Sequence, residues 1–278
     1  MRRQPAQHDQ GADHGQRISG SGADGIAGGD LVRLRAIGIV APGEQRRLTE
    51  DLKGANEQLR AANLSFAKGL IATLDARDRY TAGHSAAVAI YARDIAERMG
   101  MDAVQQELAH LCGLVHDIGK IGLAAGLLEK PGALTLEERR EMQRHSEIGE
   151  RILATVDTYA EIASIVRFHH ERVDGQGYPD GLSGTDIPLL SRIIAVADAY
   201  NAMTSDRPYR DAMPSRVARL RLAQAVETQF DTSIVAAFEA ILAGANEDYR
   251  TAKGPEFALE HRELESEEPA AAMSVALA

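Results

Sequence analysis

The sequence predicts an all-α protein, on three observations. Apolar residues recur at helical spacings of three and four from about residue 67 to residue 244. Helix start signals stand ahead of several of these runs: Thr135 with Glu138 forms a capping box, and Asp231 precedes an apolar stretch. Strand-type alternation is scarce, and glycine and proline fall between the runs, at Gly100, Pro131-Gly132 and Gly175 to Pro188.

Taken in order, residues 1–43 are rich in Gly, Ser, Gln and Asp. Such a segment buries too little apolar surface to offset its ordering entropy and is expected to be disordered. From 44 to 66, Leu48, Leu52, Ala55, Leu59, Ala62 and Phe66 repeat at spacings of four and three, a heptad seam. It reads either as a dimer helix leading into the domain or as an amphipathic linker helix packed on its own domain. Within 67–244, helices are expected at 67–78, 83–99, 104–116, 136–143, 146–154, 158–169, 189–203, 215–228 and 232–243. Residues 245–278 turn acidic and are read as a disordered tail.

The formal net charge is −10 and no basic stripe stands out, which argues against a duplex nucleic-acid binder. A small anionic substrate stays compatible, because local cations outweigh a distant negative surface. The single cysteine, Cys112, has no intramolecular partner and lies in an apolar run, so it is expected to be buried. No run approaches the ~18 apolar residues that span a bilayer, and the N-terminus lacks a secretory pattern. The cytoplasm is the expected location.

Five of the nine histidines fall in suggestive settings: His84, His116, His145, His169 and His170. His116-Asp117 ends an apolar run, and Asp198 lies within another, Ile193 to Asp198. A carboxylate there is costly unless paired, either with a base such as Arg192 or with a cation. Each pair alone has an ordinary explanation. Together, five imidazoles and two carboxylates suit borderline first-row metals and exceed what a single ion needs. Two ions sharing an aspartate would use them all, and such pairs serve attack on phosphoesters.

The motifs point to a family. His116-Asp117 resembles the signature of HD-domain phosphohydrolases. HHERVDGQGYPDGL, from His169 to Leu182, is similar to the HHExxDGxGYP signature of the HD-GYP subfamily. RDRYTAGHS, from Arg77 to Ser85, and ADAYNAMTSDRPYR, from Ala197 to Arg210, resemble its first and closing motifs. The likeness runs over about residues 68–243. It implies an HD-domain helical core extended by the HD-GYP helices, and hydrolysis of cyclic di-GMP to linear pGpG, with a further cut to GMP open. The alternatives are another nucleotide, cyclic GMP-AMP, or a silent cyclic-dinucleotide sensor.

The resemblance also implies roles. His84, His116, Asp117, His145, His169, His170 and Asp198 would hold two divalent metals, iron or manganese, with Asp117 bridging. Tyr80 stands where some members carry a glutamate for a third metal. Lys120, four residues after His116 and placed on the same helix face, would sit beside the scissile phosphate with Asp117. Arg207 and Arg210 would grip substrate phosphates. Gly177, Tyr178 and Pro179 would form a lip touching substrate or a signalling partner, although a purely structural turn fits the same residues. Two departures concern geometry: Asn201 where aspartate is common, and Ala124-Ala125 where Pro-Asp is common.

Overall fold

The computed structural model describes residues 42–75, 83–124, 126–130, 132–206, 210–254 and 257. Among them there are helices and short 3-10 turns but no strand. Of the segments expected to be disordered, 1–43 and 245–278, residues 1–41, 255–256 and 258–278 lie outside the described residues.

Helix α1, Pro42–Asp75, is one continuous helix rather than two. Gly54 and Gly69 do not break it, since a helical glycine costs only about 1 kcal/mol and breaks no hydrogen bond. The chain divides into two compact units, Met1–Gln58 and Leu59–Ala278. In the first, Leu48 and Leu52 are exposed. In the second, Leu59 and Phe66 are exposed, while Ala67, Ile71 and Leu74 are buried at helical spacing. The Tyr159 hydroxyl donates to the Asn63 carbonyl at 2.9 Å and Phe66 meets the Tyr159 ring edge-on.

The centre of the second unit is α2, His84–Arg98, packed between α3, Ala103–Val115, and α7, Leu189–Thr204. Alanines 86, 87, 89, 92 and 96 of α2 are all buried. Their small side chains let helices approach closely, and Gly113 of α3 sits against the Ala89 backbone. Helices α4, Leu136–Gln143, and α5, His145–Leu153, follow, then α6, Ala160–Arg167. The Thr135–Glu138 capping box forms, as does the Asp231 cap of α9, Thr232–Gly244. Helix α8 runs only over Ser215–Gln224, short of the expected 228, because Glu227 takes a left-handed φ of 63°.

Two expectations need correction. The helix expected at 104–116 stops at Val115, and a separate 3-10 turn follows at Ile118–Gly122. His116 and Lys120 therefore do not share a helix face. The chain from 245 is also not a solvated tail where it is described. Asn246 caps a last short helix, α10, Glu247–Arg250. Tyr249 donates to Asp94 at 2.7 Å and its carbonyl accepts from Tyr91 at 2.7 Å. Phe257, 1% exposed, joins Tyr91 and Tyr249 in an aromatic cluster. Acidic composition hid these two aromatics, whose burial outweighs the polarity of their neighbours.

Truncating Phe257 to alanine should lower the unfolding free energy by about 3 kcal/mol, a typical cost for a buried aromatic. Urea denaturation reads this; a change under about 0.5 kcal/mol would show that the ring is not part of the core.

Candidate metal centre

Three of the predicted histidines occupy equivalent places. His116 caps the end of α3, His145 directly follows the last turn of α4 and opens α5, and His169 lies just beyond α6. A helix end leaves its last carbonyls without partners inside the helix. Each histidine uses one, three residues back. His116 Nδ1 meets the Gly113 carbonyl at 2.8 Å, His145 Nδ1 meets Met142 at 2.7 Å, and His169 Nδ1 meets Val166 at 2.5 Å. A carbonyl only accepts, so the proton sits on Nδ1 and the Nε2 lone pair faces the other way.

These Nε2 atoms converge. Those of His145 and His169 are 3.4 Å apart, and His145 Nε2 is 3.5 Å from Asp117 Oδ1. His116 Nε2 lies 3.3 Å from Asp117 Oδ2, is fully buried, and makes no hydrogen bond. Lone pairs and a carboxylate face one another in a buried space, an arrangement that calls for a cation. Ligand atoms of Asp117, His145, His169 and His170 lie within 4.8 Å of one another, as do those of His84, His116 and Asp117. Asp117 belongs to both groups. Asp198 joins through His84, its Oδ1 3.1 Å from His84 Nε2. Arg192, the other partner considered for Asp198, pairs with Asp231 at 2.5 Å instead. The donor set, imidazole and carboxylate, fits a divalent metal site.

Close backbone contacts bring these helix ends together. A Cβ on Gly119 would fall 1.8 Å from the His145 carbonyl, so only glycine lets the 3-10 turn dock on α5. Gly177 plays the same part in the loop after His170, where a Cβ would lie 2.5 Å from Glu171 Cα.

A family model described as HD domain matches residues 58–234. The chain belongs to the HD domain family. Relatives include the 3'3'-cGAMP-specific phosphodiesterase 3 of Vibrio cholerae, 38% identical over 61% of this chain and 37% of that one. The cyclic di-GMP phosphodiesterase of Thermotoga maritima is 38% identical over 64% of this chain and 49% of its own. The cyclic di-GMP phosphodiesterase response regulator RpfG of Xanthomonas campestris is 33% identical over 66% of this chain and 47% of its own. The chain thus spans less than half the length of each of these relatives.

Around the HD pair the electrostatics are steep. Burial opposes ionisation of Asp117, but Lys120, His116 and His145 together hold it well below the usual carboxylate range. Burial likewise opposes ionisation of Asp198, and His84, His116 and His170 outweigh it. Burial, then neighbouring imidazoles, drives His169 well below its ordinary value and takes His170 down to about 3. Burial also lowers His145. His116 alone moves up, burial being outweighed chiefly by the Asp117 carboxylate beside it.

The remaining predicted residues divide. Lys120 Nζ is 2.6 Å from Asp117 Oδ2, reached across the tight turn rather than along a helix. The Tyr178 ring lies 4.8 Å from that of His170, centroid to centroid, and 6.3 Å from that of His145. Its backbone N–H donates to the His170 carbonyl at 3.3 Å. Arg210 is exposed and donates to the Ala202 carbonyl. Arg207 and Tyr80 lie outside the described residues.

The sequence reading gave no role to two residues near the centre. Glu171 is buried, and its Oε1 accepts from the N–H groups of Asp180 at 2.7 Å and Gly181 at 2.9 Å. Arg167 grips the Asp180 carboxylate at 2.7 and 3.1 Å, so the loop is fastened at its far end. The other is Asn201, whose Oδ1 lies 2.7 Å from His84 Nδ1. Asn201 drew attention only as a departure from a motif, which said nothing of its partner.

Histidines 145, 169 and 170 are neutral in the folded metal-free protein at a pH where unfolded histidine is charged. Unfolding then takes up protons, so stability falls as pH drops below about 6.5. His116 acts in the opposite sense but is outnumbered. From pH 7 to pH 5 the chelated protein should lose at least about 2 kcal/mol by urea denaturation; a gain over that window would contradict these proton positions.

Proposed function

We propose that this chain hydrolyses a cyclic dinucleotide, cyclic di-GMP, at the Asp117 centre with two divalent metals, iron or manganese. The observation that carries the reading is the pair of ligand groups joined at one buried carboxylate. The motif resemblance and the names of the relatives, cyclic di-GMP and 3'3'-cGAMP phosphodiesterases, supply the substrate class.

In this reading His84, His116 and Asp198 would hold one ion and His145, His169 and His170 the other, with Asp117 belonging to both groups. Such ions supply Lewis acidity and an activated water at neutral pH. The protein's own groups do the rest. Carbonyl bonds to Nδ1 keep the imidazoles facing inward. Lys120, one-fifth exposed beside Asp117, places a cation where phosphate charge grows in the transition state. Arg207 and Arg210 are assigned to gripping substrate phosphates. Tyr178 packs on His170, and Gly177 lets the loop lie close. In the hydrolysis a water oxygen bonds to one phosphorus, the P–O3′ bond breaks and the 3′ oxygen leaves as a hydroxyl carrying a proton from that water, giving linear pGpG; a second such cut would give two GMP.

Among the described residues no helix is long and apolar enough to cross a membrane. We assign the protein to the cytoplasm, in keeping with its single, buried cysteine. The exposed Leu48, Leu52, Leu59 and Phe66 are offered as a dimer seam over 44–66, and the loop around Tyr178 as a contact for a signalling protein.

Metal-loaded protein should linearise cyclic di-GMP, and His116→Ala or Asp117→Ala should lower turnover at least about 1000-fold, because such groups act as a unit. Chromatography of a panel including cyclic GMP-AMP reads the outcome. Preference for the mixed dinucleotide would move the assignment to that substrate, the one named for a relative that is 38% identical. Binding by calorimetry with no turnover of any cyclic dinucleotide would make the chain a sensor. For the seam, Leu59→Asp should halve the mass in light scattering; an unchanged dimer would place the contact elsewhere.

A further inference from the structure

The other three histidines with resolved Nδ1 bonds take their orientation from main-chain carbonyls, which no substitution removes. His84 is different. It is the first residue of α2, preceded by Gly83 in a left-handed conformation with φ 82°. A helix N-terminus presents N–H groups rather than free carbonyls. Its Nδ1 partner comes instead from a side chain on another helix, Asn201 of α7, at 2.7 Å.

Asp198 and Asn201 are three residues apart on α7 and so share one face. They bracket the imidazole, Asp198 Oδ1 at 3.1 Å from Nε2 and Asn201 Oδ1 at 2.7 Å from Nδ1. Asn201 is 1% exposed, and its Oδ1 also accepts from the Ser205 hydroxyl at 3.1 Å. Two donors on one oxygen fix the amide's orientation. We propose that Asn201 is the positioning residue that keeps the proton of His84 on Nδ1 and its Nε2 lone pair toward the metal. The proposal rests on reading the cluster as a metal centre. Without Asn201, His84 is free to carry its proton on Nε2 and donate to Asp198, which removes both from the ligand set.

Asparagine can donate or accept, whereas aspartate at pH 8 only accepts and leucine does neither. The test compares Asn201→Leu and Asn201→Asp with the wild type. Zn²⁺ affinity is measured by chelator competition at pH 8, and the protonated nitrogen of His84 by ¹⁵N NMR of histidine-labelled, metal-free protein. Asn201→Leu should weaken Zn²⁺ binding about 10- to 100-fold, the usual effect of losing such a partner, and should lose the Nδ1–H signal. Asn201→Asp should keep that signal and bind Zn²⁺ at least as tightly as the wild type.

Unchanged affinity in Asn201→Leu overturns the proposal, and so does weakened binding in Asn201→Asp, which would mean that Nδ1 accepts rather than donates. Should Asn201→Leu fail to fold, the aspartate variant and the wild-type spectrum still decide. Should the wild type take up no Zn²⁺, the metal-centre reading falls, while the spectra separately report whether Asn201 sets the tautomer.

Discussion

The structure turns on a carboxylate buried at the end of a helix. Asp117 sits between His116 and His145, with Lys120 2.6 Å away. A carboxylate in such a place is several kcal/mol uphill unless cations surround it. One lysine satisfies one oxygen. His116 and His145 beside it also favour the ionised carboxylate, while the carbonyl bonds of His145 and His169 turn their Nε2 lone pairs toward the cluster. A folded chain that builds this cluster has built a place for positive charge.

Helix termini make the arrangement economical. Carbonyls at the ends of α3, α4 and α6 have spare accepting capacity. Here each accepts from a histidine, so that one hydrogen bond both completes the helix end and aims a ligand. Because the aim comes from the backbone, it is as rigid as the helices. Gly119 lets its turn lie on α5, and Gly177 lets its loop lie on Glu171 and Arg172, because each admits main chain where any side chain would clash. The loop after His170 is then fastened by Glu171 and by Arg167 gripping Asp180, which holds Tyr178 against the ligand ring.

Much of this was legible in the sequence. Helical periodicity placed most elements, since α2, α3, α7 and α9 bury apolar residues at the spacing that the pattern shows. The seven candidate side chains were visible as residue types in motif strings, and the structure sets six of them into two groups, with Asp198 joined through His84. Direction was not legible. Nothing in the letters at 113, 142 or 166 announces that their carbonyls orient histidines, because any residue carries a carbonyl. Lys120 was expected on a helix that ends five residues earlier, at Val115, where the chain tightens into a 3-10 turn. The packing of Tyr249 and Phe257 was hidden by the acids around them, since average composition does not register two large rings.

The most direct measurement is metal content. Protein purified after incubation with Mn²⁺ or Fe²⁺ and dialysed without chelator should carry about two ions per chain by plasma mass spectrometry. A folded chain that retains none, at any metal concentration compatible with its stability, would contradict the account at its centre.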